Sequence, residues 1–378
     1  MIILKNAYLP DKNGLFNIII ENHKISDIYP LEKELPSTHS FKEIDLNGKQ
    51  IFPGFIDIHI QGAGGGDFLD SNMNSIEKIT KTLIKNGITA VLATTVINDK
   101  INNAHLKFLS EISGKTINGV EILGIYLEGP FINPIKRGGI SINAIKNPNI
   151  KTLYEILELC NEKLKIMTIA PELQGIDEII NILIKNNVIP SFGHSNANYE
   201  ETKKAINKGM RHITHVFNAM QGIHHRNPGP IIAFLETENV FYEIISDGYH
   251  IHPSIVNFIY KNVGIDNCIC ITDGMRASGL GDGIYTYNGK KFITKKGLSM
   301  YEDGTLIGSA KPLFEIAKEF SRFTKTPLPE ALKTITINPA KALNINKIGK
   351  IEKGYYADIV IIENNIIKSV ISKGKIVK

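Results

Sequence analysis

Short, nearly unbroken apolar runs recur through the middle of the chain, at Ile51–Ile60, Ile88–Thr95, Val120–Leu127, Ile166–Ala170, Val188–Phe192, His212–Phe217, Val240–Ile245 and Cys268–Ile271. Most are rich in Ile and Val, as strands buried on both faces of a parallel sheet are. Helical punctuation separates many of them. Ser75 to Asn86 sets Ile76, Ile79, Leu83 and Ile84 on one face and stops at Gly87, a residue suited to a helix C-terminus. Asn198 with Glu201 three positions on predicts a capping box, and that helix should stop at Gly209. Strands alternating with helices over roughly 250 residues predict a closed (β/α)8 TIM-like barrel in place of an open doubly wound sheet.

The two ends of the chain break this rhythm. Residues 1–50 hold strand-like pieces at Ile2–Leu4, Leu15–Glu21 and Lys24–Tyr29, with turns at Lys12–Gly14 and Asn47–Gly48. Ala357–Glu363, Ile366–Ser372 and Lys375–Val377 repeat that style at the other end. Segments 1–50 and 346–378 are therefore expected to pair into a small β-sandwich domain beside a barrel of residues 51–345. A hairpin-like insertion is expected around Tyr285–Leu306, followed by a helix from Pro312 to Phe323. The Gly62–Gly66 stretch lacks a following dinucleotide fingerprint helix and reads as a turn.

Composition narrows the partners. Of 378 residues, 43% are hydrophobic and 21% charged, the balance of an ordinary globular protein. A formal charge of +5 arises from scattered lysines with no basic block, which argues against a nucleic-acid partner. No run approaches the roughly 20 apolar residues that span a bilayer, and the opening MIILKNAYLP is not a signal peptide. Cys160, Cys268 and Cys270 lack metal or redox spacing and read as buried thiols, so a cytoplasmic location is expected.

The chemistry lies at the carboxyl ends of the apolar runs. The first leads into Asp57-Ile-His59-Ile-Gln61, the third into Glu128-Gly-Pro130 and the fifth into Gly193-His194-Ser195. The sixth contains His212 and His215, the seventh leads into Asp247-Gly-Tyr-His250, and the eighth into Thr272-Asp273. Singly, each has an ordinary explanation as a turn or a hydrogen-bonded core group. In a barrel, however, all six sets converge on the mouth where barrel enzymes keep their sites. Glu128, His194 and His215 form a carboxylate and two imidazoles that suit Zn2+, with Fe2+, Mn2+ or Co2+ as alternatives, and leave room for water and substrate. Asp273 is placed to accept a proton from the attacking water and return it to a leaving amine. His212 should face away from His215 and is read as structural. Asn218, Ala219, the His224–Gly229 loop with Arg226, and His250 suggest an anion site; a solvated basic loop is an equal reading of the same residues.

These residues resemble one family, the N-acetylglucosamine-6-phosphate deacetylases of the amidohydrolase superfamily. The resemblance runs through Pro53–Asp57, Leu127–Phe131, Ala170–Glu172, Gly193–Ala197, Thr214–Met220, Asp247–His250, Thr272-Asp273, Gly304–Ser309 and Asn338–Ala340. It implies one divalent metal per subunit on Glu128, His194 and His215, with Asp273 as the acid/base. It further implies that Gly139, Asn218, Ala219, Arg226, His250, Leu306, Ile307 and Gly308 contact a sugar phosphate, and that the chain forms a homodimer in which Arg226 serves the neighbouring site. The implied reaction releases acetate and leaves glucosamine 6-phosphate.

Two positions depart from the pattern. Relatives with two metals carry His-x-His where this chain has His59 and Gln61, so one well-defined metal is expected, with His59 a weak second-site ligand or a hydrogen-bonding group. Ile140 stands where relatives often place a His or Gln that polarises the acetyl carbonyl. The competing readings are a deacetylase for the galactosamine epimer or another N-acetylated sugar phosphate, and a non-catalytic sugar-phosphate-binding barrel. A cyclic amidase is disfavoured because Ala170-Pro-Glu172 offers no bridging lysine.

Overall fold

A computed structural model describes residues 1–33, 42–287 and 289–378. Eight parallel strands form the central sheet: Phe55–Ile60, Ile88–Thr95, Val120–Glu128, Leu164–Ile169, Ile189–Phe192, His212–Ile213, Phe241–Ile244 and Cys268–Cys270. Each pairs in parallel with the next. The ring is closed where the eighth strand meets the first: Asp273 N–H donates to His59 O at 2.9 Å and Gln61 N–H to Gly274 O at 2.8 Å. The expected barrel is therefore present, with helices between its strands.

The apolar run Ile51–Ile60 is two strands, not one. Gln50–Pro53 pairs antiparallel with Ile359–Glu363 in the terminal sheet, and Phe55–Ile60 enters the barrel. Gly54 makes the transition, lying so close to Thr89 that a Cβ there would meet its Oγ1 at 2.0 Å. The sixth strand is also shorter than its apolar run, because the backbone turns left-handed at His215.

The helix Met73–Lys85 begins two residues before its expected start, where Asn72 accepts from Ser75 N–H at 2.9 Å, and it turns out through Gly87 at φ 81°. Its buried face carries Ile76, Ile79, Leu83 and Ile84 as expected. The capping box at Asn198 and Glu201 is formed in both directions and starts the helix Tyr199–Asn207.

Terminal strands from both ends of the chain form one continuous sheet. Its path runs Lys375–Ile376, Ile366–Ser372, Ile359–Glu363, Gln50–Pro53, Ile2–Leu9, Gly14–Glu21 and Lys24–Pro30, with Lys42–Asp45 also paired to Ile2–Leu9. Leu4, Ile18 and Ile20 from one end of this path share a core with Ile359, Ile361 and Ile371 from the other. The insertion after the eighth barrel strand is a four-stranded antiparallel flap of Gly283–Tyr287, Lys290–Lys295, Leu298–Met300 and Leu306–Ser309, followed by the helix Leu313–Thr324. No helix among the described residues is long and apolar enough to cross a membrane.

Candidate active site

The carboxyl ends of the barrel strands enclose a cavity of about 320 Å³ lined by Gln61, Glu128, His194, His215, Asn218, Ala219, His250 and Asp273, with Gly139 and Leu306–Gly308 along its walls. A wider surface groove of about 950 Å³ lies between the helices Ala104–Ile112 and Ile150–Cys160, lined by none of these residues. The chemistry is therefore in the smaller cavity.

Sharp turns aim the site residues into it. His194, His215 and Asp273 take left-handed backbone at φ 47°, 28° and 46°, as does Ala219 at 52°. Such conformations cost non-glycine residues about 1–3 kcal/mol each and persist only where surrounding contacts fix them. Here Asp273 is held by its N–H on His59 O, and Ser309 N–H donates to Asp273 O at 3.1 Å. The last flap strand thus lies directly on Asp273, and a Cβ at Gly308 would sit 2.2 Å from its carbonyl oxygen. Glu172 braces the His194 turn, accepting from Ser195 Oγ–H and Asn196 N–H, each at 2.6 Å.

Three buried side chains meet at one point. Glu128 Oε1 lies 2.9 Å from His194 Nε2 and 3.0 Å from His215 Nε2, and those nitrogens are 3.1 Å apart. His194 Nδ1–H donates to Lys136 O at 2.8 Å, so a neutral ring presents a lone pair at Nε2. A lone pair facing a carboxylate oxygen at that distance is unfavourable without a cation between them. The donor set and its convergence therefore fit one divalent metal ion, and these three are the metal-competent cluster found among the described residues. Burial works against charge on Glu128; with positive charge against it, on the His194 and His215 rings or on an ion between them, its carboxyl is held well below the usual carboxylate range.

Asp273 sits beside this cluster. Burial raises its pKa, and Glu128 raises it further against the opposing pull of His59 and His215. Its Oδ1 is buried without a hydrogen-bond partner among the described residues and lies 3.5 Å from His59 Nε2. Burial would lower the pKa of His59, but Glu243 at 2.9 Å, then Asp273 and Glu128, push it up to about 10. Gln61 does not join the donor cluster: its Nε2 donates to Glu128 Oε2 at 3.1 Å.

His250 Nδ1–H donates to Asp247 Oδ2 at 2.7 Å, leaving a buried Nε2 without a partner among the described residues. Arg226 is not brought into its own chain's cavity; it lies on an exposed loop near His224 and His225. Ile140 is buried and lines the wall. His212 faces the barrel interior, bonded to Ser191 Oγ at 2.8 Å.

Three residues of the site were not anticipated. Lys136 lines the cavity and donates from Nζ to Met220 O at 3.2 Å. Tyr287 reaches the cavity from the flap. Glu243 lies fully buried below the cluster. Only Glu243 carried a signal in the sequence, an acid inside an apolar run.

A closed parallel barrel with a metal-competent cluster and a buried carboxylate at its mouth defines the class of barrel metallohydrolases. The chain belongs to the amidohydrolase family, whose profile matches residues 50–377. It is 32% identical over 372 residues to the N-acetylglucosamine-6-phosphate deacetylase of Bacillus subtilis, covering 96% of this chain and 90% of that protein. It is 28% identical over 324 residues to an N-acetylgalactosamine-6-phosphate deacetylase of Escherichia coli O157:H7, covering 85% of this chain and 86% of that one. Among solved structures, a variant of the Mycobacterium smegmatis N-acetyl-D-glucosamine-6-phosphate deacetylase in complex with N-acetyl-D-glucosamine-6-phosphate superposes with a TM-score of 0.89 at 25% identity, covering 100% of this chain and 99% of that one.

Proposed function

We propose that this chain hydrolyses the acetamido group of N-acetylglucosamine 6-phosphate, giving glucosamine 6-phosphate and acetate. The observation that carries the reading is the meeting of Glu128 Oε1, His194 Nε2 and His215 Nε2 at about 3 Å beside the buried, unpartnered Asp273 Oδ1. The relatives' substrates supply the acyl group and the sugar phosphate.

Glu128, His194 and His215 hold the ion, for which this donor set favours zinc. When bound, such an ion polarises a carbonyl oxygen and acidifies water. Asp273 takes the proton from water as its oxygen bonds to the acetyl carbon, and the same Oδ1 returns that proton to the sugar nitrogen as the C–N bond breaks. Ile140 offers no hydrogen bond to the acetyl oxygen, so polarisation there falls to the ion or to backbone N–H groups.

Asn218, Ala219 and His250, whose Nε2 has no partner among the described residues, are assigned to the phosphate, with Gly139 and Leu306–Gly308 shaping the walls. Arg226, exposed and outside its own cavity, is assigned to the neighbouring subunit's site in a homodimer of a cytoplasmic enzyme. Zinc-loaded protein should release acetate from N-acetylglucosamine 6-phosphate, with kcat/KM above that for the galactosamine epimer. Fully metallated protein that releases none from either sugar would overturn the reading; the reverse preference would reassign the substrate to the epimer.

A further inference from the structure

The barrel interior beneath the cavity is polar where such barrels are commonly filled by branched apolar side chains. Tyr126 Oη lies 2.7 Å from Thr214 Oγ1, which in turn meets Thr168 Oγ1 at 2.9 Å and Ser191 Oγ at 2.6 Å. Ser191 continues to His212 Nδ1, and His212 Nε2 stands 3.7 Å from Glu243 Oε1. Glu243, from the seventh strand, ends this chain of contacts with none of its surface exposed.

A buried carboxylate is costly unless it is hydrogen-bonded, and both hydrogen bonds that Glu243 accepts come from the site and fall on Oε2, while Oε1 has no partner among the described residues. Its Oε2 takes His59 Nδ1–H at 2.9 Å and the backbone N–H of His215 at 3.2 Å. Because a carboxylate only accepts, the first bond fixes the proton on Nδ1. The Nε2 so oriented is buried without a hydrogen-bond partner among the described residues, 3.5 Å from Asp273 Oδ1 and 3.7 Å from Glu128 Oε1. The second bond holds the left-handed turn from which His215 reaches the cluster.

We infer that Glu243 is a positioning residue of this site: it orients His59 toward the space between Glu128 and Asp273 and pins the backbone that presents His215. Partners of this kind behind metal-site histidines typically change affinity or activity 10–100-fold when removed. The inference rests on the proposed hydrolysis only where turnover is the readout.

Glu243→Leu removes the acceptor that takes both bonds and is the variant read below, while Glu243→Gln, whose amide oxygen can replace Oε2, is the conservative control that should restore most of the loss. Zinc affinity of the apoprotein, measured against a competing chelator, should weaken about 10–100-fold. On N-acetylglucosamine 6-phosphate, kcat should fall by a similar factor while KM stays within about threefold. Adding His59→Gln to Glu243→Leu should cost no further kcat, because the second change removes a ring already misdirected. A lowered melting temperature with unchanged zinc affinity and kcat would make Glu243 merely structural and overturn the inference, as would multiplicative losses in the double variant. If wild-type protein binds zinc yet releases no acetate, the deacetylase reading fails, and the zinc-affinity ratio still decides the role of Glu243.

Discussion

The metal-competent cluster (the cluster end) and the residues proposed to meet the phosphate (the anion end) are built differently. At the cluster end, Glu128, His194, His215 and Asp273 are all buried at the carboxyl ends of four strands, and hydrogen bonds to neighbouring strands and loops fix the turns of the last three. At the proposed anion end, Asn218 and Ala219 lie on a loop, Lys136 is half-buried, and Arg226 is exposed and outside its own chain's cavity. Bond-making chemistry tolerates errors of only a fraction of an ångström, so it sits on a rigid scaffold. Charge attraction to a phosphate falls off gently with distance and can be delivered by loops, including those of a second chain.

This contrast predicts losses of different kinds. Removing the ion with a chelator should abolish acetate release and lower thermal stability, both restored by zinc. Bound ion at a hundredfold excess over its Kd would be worth about 2.7 kcal/mol of folding stability. A chelator-treated protein with unchanged melting temperature and activity would show that the cluster end needs no ion. Asp273→Asn should lower kcat by about 10²–10⁴-fold with little change in KM or zinc content, since Asn cannot carry the proton. Retained turnover in steady-state acetate assays would remove Asp273 from the proposed chemistry.

Effects at the anion end should be smaller and appear in KM. Lys136→Met and Arg226→Met should each raise KM about tenfold or more, the worth of a hydrogen bond to a charged group, and leave kcat within a few-fold. The same variants should be nearly neutral on unphosphorylated N-acetylglucosamine. If Lys136 serves only to brace Met220 O, both substrates should suffer equally, and the comparison between the two ends would lose its basis.

Legibility in the sequence divides along the same line. Strand ends show because a titratable residue interrupts an apolar run, which is how Glu128, His194, His215 and Asp273 stand out. The barrel shows because continuous Ile and Val runs alternate with capped helices. The split of Ile51–Ile60 at Gly54 was hidden, since both halves are apolar and neither changes period. Lys136 and Tyr287 were hidden for another reason: their approach depends on loop and flap paths that no periodicity encodes. Glu243 lay in plain sight inside Val240–Ile245, but inward-facing polar side chains become meaningful only once the barrel interior is known to be polar.

The last expected effect falls on stability and leaves kcat and KM untouched, and it concerns neither end. His105, on the helix Ala104–Ile112, is fully buried and bonds through Nε2–H to Val96 O at 2.9 Å. Burial outweighs that hydrogen bond and lowers its pKa from 6.5 to about 4. The unfolded chain therefore binds this proton more tightly than the folded one. The stability it contributes is complete above about pH 6.5 and is lost as pH falls towards about 4. Between pH 7 and 5 the loss amounts to about 2 kcal/mol, from roughly 1.4 kcal/mol per pH unit for one proton. Loss of activity on the acid side would thus mix unfolding with protonation of Asp273. His105→Gln should flatten the pH dependence of urea-unfolding free energy by about that amount, while leaving kcat at pH 7 unchanged. The acid limb of kcat that survives in His105→Gln then belongs to the cluster end. An unaltered stability profile in this variant would instead show that His105 takes up no additional proton on unfolding in that range.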